Sequence, residues 1–360
     1  MINRKGLRSA LKRIGVTRIN SISKYDDLGI YVYQTCRPDS IHLTVDSGKG
    51  RSDEQAFIAS AVEAIERFTA ENIANRVYMV SLEDERLFIP NEQRISRRQV
   101  SDKISTYEGK EIISNKEVYV PSIYVDYNIP KGALSSHAFT GTTGLGAHST
   151  MEMAVCSGLV EIIERDAIAS GRYEIVEQEM IQKSQPYLKG ILGERSARYC
   201  ILRYETEWPL EVVQIICDDP HVTGGMNANG VGKDLASAIE DAALEAMQTW
   251  LMRLGASRDD WAFSRVMDKN LFDRLINSAI RIKHEESPEE PNDIEGKYTR
   301  KMYEVLINHA KKKSKKIVAV KIESEINIPE VKVVKVLMDE MKLLRQGPMM
   351  TGIPYMPSHP

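Results

Sequence analysis

The stretch Gly144-Leu145-Gly146-Ala147-His148-Ser149-Thr150-Met151-Glu152-Met153-Ala154-Val155-Cys156-Ser157-Gly158-Leu159-Val160-Glu161-Ile162-Ile163-Glu164-Arg165-Asp166-Ala167 decides how this chain is read. A glycine-rich turn runs into a helix that Ser149 or Thr150 can cap, and Glu152 in the first turn suits the positive end of the helix dipole. The pattern predicts a helix to about Ser170. Within it Glu161 and Glu164 share one face, since residues i and i+3 lie above one another.

Two other segments repeat the pattern. Ser60-Ala61-Val62-Glu63-Ala64-Ile65-Glu66-Arg67 has the same Glu-x-x-Glu-Arg frame, and Ala243-Leu244-Glu245-Ala246-Met247-Gln248 keeps Glu-x-x-Gln. Each follows a run of small residues that reads as a glycine loop. Ser47-Gly48-Lys49-Gly50-Arg51-Ser52 precedes a helix expected over 53–75, and the run 223–232 precedes a helix entered at Asp234. With Lys49 and Arg51, the first run also reads as a phosphate cradle, because free N–H groups and the helix dipole both face outward there. The recurrence predicts a pseudo-repeat inside one fold, with the helices converging on one site.

Composition narrows the class. The chain has 360 residues, 42% apolar and 28% charged, with a net charge of -3, so no global basic field points to nucleic acid or an anionic membrane. Cys36, Cys156, Cys200 and Cys217 form no C-x-x-C pair, and no apolar signal segment follows Met1, so a reduced, cytoplasmic protein is expected. No apolar run is long enough to span a bilayer.

The first thirty residues fit a short amphipathic helix (Leu7, Leu11, Ile14) leading into a strand at Ile30, with packing as its expected role ahead of peptide contact. Further strands are expected over 77–81, 118–125, 199–204, 211–217, 317–322 and 331–336, the second at an edge because of Pro121. The charged stretch between 81 and 118 and the looser pattern over 259–316 yield no element. His284 to Pro291 reads as an acidic loop, and Lys311 to Lys316 as a solvated basic helix end.

Converged glutamates repel one another unless a cation neutralises them, so metal binding is the simplest reading. All-oxygen ligands favour Mg2+, and Mg2+ beside a glycine loop and a lysine points to nucleotide phosphate. Arg67 and Arg165 then either pair with carboxylates or reach a phosphate. A carboxylate-bridged metal oxidase would need Glu-x-x-His motifs, and no histidine has that spacing from a glutamate.

In order and separation these segments resemble the three ATP-binding motifs of the YcaO-domain family, over roughly residues 45 to 255. The resemblance implies an α/β (α+β) fold in which β-sheets are covered by the motif-bearing helices with ATP between them. It also implies a single domain over 1–360, with ATP-binding core motifs at 45–255. A variable region at 256–360 would hold strands that close over the site and a proline-containing tail.

The implied activity is ATP- and Mg2+-dependent phosphorylation of a peptide backbone amide oxygen. The product is an azoline when a substrate Cys, Ser or Thr attacks, or a thioamide when sulfur comes from outside; a silent ATP- or leader-binding scaffold is the further alternative. The implied cofactor-binding residues are Lys49, Ser60, Glu63, Glu66, Arg67, Glu161, Glu164, Arg165, Glu245 and Gln248. Of these, Glu63, Glu66, Glu161 and Glu164 would hold metal, and Arg165 together with Pro360 is assigned to catalysis.

The tail Pro354-x-x-Pro357-x-x-Pro360 departs from the family's Pro-x-Pro-x-Pro spacing. Glu240 and Asp241 stand where members often carry an arginine, leaving Arg253 or Lys233 to supply its charge. Expected partners are a precursor peptide and a separate leader-binding or sulfur-delivery protein, without nucleic acid or membrane; a homodimer stays open.

Overall fold

The computed structural model describes residues 3–26, 29–90, 103–128, 141–176, 198–218, 226–255 and 298–339. Helix α1 (Arg4–Arg13) leads into β1 (Arg18–Ser21), β2 (Tyr31–Cys36) and β3 (Val45–Gly50), then α2 (Asp53–Glu71). Strands β4 (Tyr78–Ser81), β5 (Lys103–Glu111), β6 (Glu117–Pro121) and β7 (Leu145–His148) precede α3 (Met151–Ser170). Then come β8 (Tyr173–Ile175), β9 (Arg198–Tyr204), β10 (Glu211–Asp218), β11 (Met226–Gly232) and α4 (Leu235–Leu254). Helix α5 (Arg300–Lys312) and strands β12 (Ile317–Ile322) and β13 (Lys332–Met338) complete the described chain.

The strands form three antiparallel sheets, in the orders β1-β2-β3, β11-β10-β9-β8 and β4-β5-β12-β13-β7, with β6 beside β5. Strands β3, β7 and β11 are each the last of their sheet, and each feeds one motif helix. The predicted pseudo-repeat is therefore a strand–helix unit used three times.

Its glycines are a correction to the sequence reading. Gly48, Gly146 and Gly230 lie in strands, not loops, and admit a helix backbone at close range. A Cβ at Gly48 would meet Ser60 N at 2.0 Å, one at Gly146 would meet Ala154 O at 2.3 Å, and one at Gly230 would meet Ala238 O at 2.2 Å. The register is the same in all three units. Four residues after the glycine stands the N-cap, Ser52, Thr150 or Asp234, whose side chain accepts the backbone N–H three residues on. Eight and twelve residues after it stand small residues that lie under the strand: Ala56 and Ser60, Ala154 and Gly158, Ala238 and Ala242. Fifteen and eighteen residues after it stand Glu63 and Glu66, Glu161 and Glu164, Glu245 and Gln248.

Local signals placed the helix ends. Helix α2 stops at Glu71, short of the expected Asn75, where the Asn72 N–H closes on the carbonyls of Phe68 and Thr69. Helix α3 ends on Gly171 at φ +67°. Helix α1 buries Leu7, Ala10 and Leu11 in a cluster with Phe57 of α2, which is the packing role expected of its apolar face.

Strand β5 went unseen in the sequence, and of helix α5 only the basic end at Lys311 and Lys312 was read. The buried positions of β5 fall on both of its faces and include Thr106 and Gly109 beside Ile104 and Tyr107, so no apolar alternation shows. Helix α5 buries only Leu306 and Ala310, beneath a charged exterior. The C-terminal strands were expected to close over the site, but β12 and β13 lie inside their sheet, between β5 and β7. The segments His284–Pro291 and Pro354–Pro360 lie outside the described residues.

Candidate functional site

The three units form a ring. Each motif helix packs on its own strand and also touches the strand of the next unit: α2 meets β7, α3 meets β11, and α4 meets β3. The small residues at the strand crossing share one helical stripe with the first glutamate of each pair, since spacings of four and three stay on one face. One turn beyond the crossing, that stripe turns from alanine and glycine to carboxylate. This places Glu63, Glu161 and Glu245 at the edge of a packed interface.

The second residue of two of the pairs reaches the next strand. Gln248 Nε2 donates to Ser47 Oγ of β3 at 2.7 Å, and Asn229 Nδ2 of β11 donates to Glu164 Oε1 at 3.3 Å. Asn229 is held in turn by Gln214, which Tyr204 anchors through its hydroxyl. At the third junction the matching strand residue is Leu145, which offers Glu66 no polar atom.

Glu66 accordingly has no strand hydrogen bond among the described residues. Burial raises its pKa well above the ordinary carboxylate value, and the charges of Glu63 and Glu161 raise it further. Burial also raises Glu161, against the pull of Arg165, of the Gly144 N–H and of Lys335. Glu63, Glu66 and Glu161 therefore share one field, and Glu164 accepts the Asn229 amide.

Cations border the cluster. Arg67 bonds Glu63 at 2.7 Å and stands 2.9 Å from Asp46 of β3. Arg165 bonds Glu161 Oε1 at 2.6 Å and reaches the hydroxyls of Thr143 and Thr142 at 2.6 and 3.3 Å. The Gly144 N–H donates to the other Glu161 oxygen at 2.9 Å, so Glu161 and Arg165 grip the segment 142–144 from the helix side.

Lys335 and Asp46 escaped the sequence reading. Lys335, on β13, is 4% exposed, donates to the Gly141 carbonyl at 2.5 Å, and has its pKa lowered to about 8 by burial against the pull of Glu161. The only signal for it was a lysine inside an apolar strand. Asp46 has a wholly buried side chain whose oxygens accept no well-formed hydrogen bond among the described residues, and burial pushes it up to about 7 although Arg67 pulls the other way.

Because this folded pKa lies above the unfolded one, the stability linked to Asp46 is fully present below about pH 4 and is lost as pH rises through about 7. The wild-type thermal midpoint is thus expected to fall, relative to Asp46→Asn, between about pH 4 and pH 7. Parallel midpoints in thermal scans across that window would contradict it.

Lys49 does not lie in a phosphate-cradling loop. It stands on β3 and joins it to α4, with Nζ 3.0 Å from Glu245 and 4.0 Å from Asp241. Arg51 pairs with Glu240, and Asp241 accepts the Val231 N–H at 3.2 Å. The cation beside Asp241 is Lys49; Lys233 pairs instead with Asp234 on the surface. Lys49→Met is expected to cost about 1 kcal/mol, read by urea denaturation, since the pair is only partly shielded. Ser60 is fully buried, its hydroxyl 3.5 Å from that of Thr35. Pro360 lies outside the described residues.

The donor set suits Mg2+. Among the described residues no three acidic, histidine or cysteine side chains stand close enough together to hold a metal alone. Mg2+ takes one or two carboxylates and completes its shell with water and phosphate oxygens. Crowded carboxylates with raised pKa values are the groups such an ion would relieve.

The sequence profile of a family described as YcaO cyclodehydratase, ATP- and Mg2+-binding, matches residues 47–341. The chain belongs to this family. YcaO from Methanopyrus kandleri, bound with AMPPCP and Mg2+, superposes with a TM-score of 0.66 at 22% identity, over 92% of this chain and 87% of that one. A heterocyclase in complex with substrate and cofactor superposes with a TM-score of 0.74 at 16% identity, over 95% of this chain and 53% of that one. An uncharacterized protein of Methanothermobacter thermautotrophicus is 25% identical over 291 residues, 75% of this chain and 74% of that protein.

The fold is thus the YcaO fold, and ATP and Mg2+ are its cofactors. The family match runs past residue 256 and takes in β13, where Lys335 stands. No described helix is long and apolar enough to cross a membrane.

Proposed function

We propose that this YcaO protein spends ATP, with Mg2+, to activate a backbone amide of a ribosomally made precursor peptide in the cytoplasm, so that a Cys, Ser or Thr side chain closes an azoline ring. The observation that carries the reading is the shared field of Glu63, Glu66 and Glu161, bordered by Arg67, Arg165 and Lys335. When bound, ATP supplies the phosphoryl group with which the amide oxygen departs.

The chain's own residues divide the work. Glu63, Glu66 and Glu161 would supply the one or two carboxylates that Mg2+ takes, with water and phosphate oxygens completing its shell and Glu164 adding its charge from the Asn229 junction. Arg165 and Lys335 would exchange their present partners, the threonine hydroxyls and the Gly141 carbonyl, for phosphate oxygens. Lys49, Glu245 and Gln248 hold α4 against β3 and so keep the third side of the site in place. Pro360 would take part in the chemistry, as the family resemblance implies.

Calorimetry tests the first step: ATP binding should require Mg2+. Incubation with a candidate peptide should then release phosphate, and the peptide should lose one water per ring. A product that exchanges oxygen for sulfur would replace the azoline reading with thioamide formation, and binding without phosphate release would leave only a scaffold.

A further inference from the structure

The face of the first sheet that α2 covers carries a seam of polar side chains. Thr35 of β2 and Asp46 of β3 stand opposite each other in the register, and Arg37, two residues beyond Thr35, lies on the same face. Ser60, Arg67 and Glu71 recur along one stripe of α2 and meet them. Thr35 Oγ1 donates to the Ser60 carbonyl at 3.4 Å, Arg67 Nε stands 2.9 Å from Asp46 Oδ1, and Arg37 donates to Glu71 Oε2 at 2.6 Å.

The charges along this seam are unequally served. Arg37 is committed to Glu71, and Ser40 bridges the two, accepting from Arg37 at 3.0 Å and donating to Glu71 at 2.8 Å. Arg67 is left to serve two carboxylates. Its Nε and Nη2 both donate to Glu63 Oε1, at 3.2 and 2.7 Å, so the guanidinium fork is turned to the partner nearer the surface. The Glu63 side chain is 40% exposed, whereas that of Asp46 is 0% exposed, and both Asp46 oxygens accept no hydrogen bond among the described residues. A buried carboxylate left unbonded is costly, and the guanidinium beside it has donors enough to relieve it.

We propose that Asp46 is the reserve partner of Arg67: once Glu63 turns to Mg2+, the guanidinium turns its fork onto Asp46, which holds Arg67 at the border of the site with its charge matched. Asp46 is thus a positioning residue, acting through Arg67. The role in Mg2+ binding rests on the function proposed above; the exchange of Arg67 between Glu63 and Asp46 does not. The other charges around Asp46 are Glu66 and Glu71 of α2 and Arg37, with Tyr127 nearby. Lys49, Asp241 and Glu245 meet one another across the opposite face of β3.

Thermal scans of the metal-free protein over about pH 4 to 7 test the exchange without nucleotide. Wild type loses stability there relative to Asp46→Asn. In Glu63→Ala, which leaves Arg67 to Asp46 alone, the loss relative to the Glu63→Ala, Asp46→Asn double variant should shrink by half or more, because the full ion pair keeps Asp46 ionised further down the pH scale. Adding Arg67→Met to both proteins should bring the loss back. An undiminished loss in Glu63→Ala, or one that does not return without Arg67, would overturn the proposal.

Calorimetry then reads the consequence for the site. Mg2+-dependent ATP affinity should fall about tenfold or more in Asp46→Asn at about pH 8, and should fall no further when Asp46→Asn is added to Arg67→Met. Thr35→Val, which alters the same seam without touching a charge, should bind as wild type does. Wild-type affinity in Asp46→Asn, an added loss in the Arg67→Met background or an equal loss in Thr35→Val would each overturn the positioning role. Wild type that binds no ATP would remove the proposed function, with the thermal scans still deciding the exchange.

Discussion

Glu66→Gln is expected to weaken Mg2+-dependent ATP binding about 100-fold or more while raising the thermal midpoint of the free protein. The two effects have one origin. The Glu66 carboxylate is desolvated and stands in the field of Glu63 and Glu161, where its counterparts in the ring are hydrogen-bonded to Asn229 and Ser47. An isosteric amide removes that unfavourable charge, which is worth about 1 kcal/mol or more to the free protein, and removes a ligand from the ion.

Gln248→Ala provides the opposite signature. It breaks the bond to Ser47 and should lower stability by about 1 kcal/mol. Calorimetry for nucleotide and differential scanning for stability separate the two variants. Wild-type ATP affinity in Glu66→Gln would remove the carboxylate cluster from the metal site.

Gly48→Ala is expected to be the most damaging glycine-to-alanine change among the described residues, costing about 4 kcal/mol or more. Its Cβ would fall 2.0 Å from Ser60 N, 2.6 Å from Ala59 C and 2.7 Å from Ala56 O. All of these are helix backbone atoms, so no side chain can rotate away. Relief would require α2 to lift from β3, and that movement would carry Glu63, Glu66 and Arg67 out of the ring.

Gly6→Ala, in α1, is the control. The nearest atom to its added Cβ lies at 3.4 Å, and alanine in a helix should stabilise by about 0.5–1 kcal/mol. Urea denaturation followed by circular dichroism reads both. A Gly48→Ala variant as stable as wild type would mean that the strand–helix contact is looser than these distances show.

Much of the site was legible before any fold was known, and the illegible part has specific causes. The Glu-x-x-Glu frames, the caps and the recurrence are local and stand within a few residues of one another. The glycines were visible but misread, because a glycine that permits a turn and one that admits a helix look alike in sequence. Lys335 was hidden because a lysine in a strand is normally an outward-facing residue, and only the place of β13 next to β7 brings it to Glu161. Asp46 looked like an ordinary polar residue before a glycine run until β3 was covered by α2.

The sequence by itself determined α1, the three motif helices and their caps, many of the strands, the threefold recurrence and the family, because capping and periodicity are short-range effects written into neighbouring residues. Tertiary structure decided which carboxylates act together. Glu66, Glu164 and Gln248 hold equivalent places in the repeat, and what each meets depends on the strand residue of the next unit: Leu145, Asn229 or Ser47. Those residues are far apart in the chain and acquire meaning only when the ring closes, since burial and the charges across a junction set the state of a carboxylate.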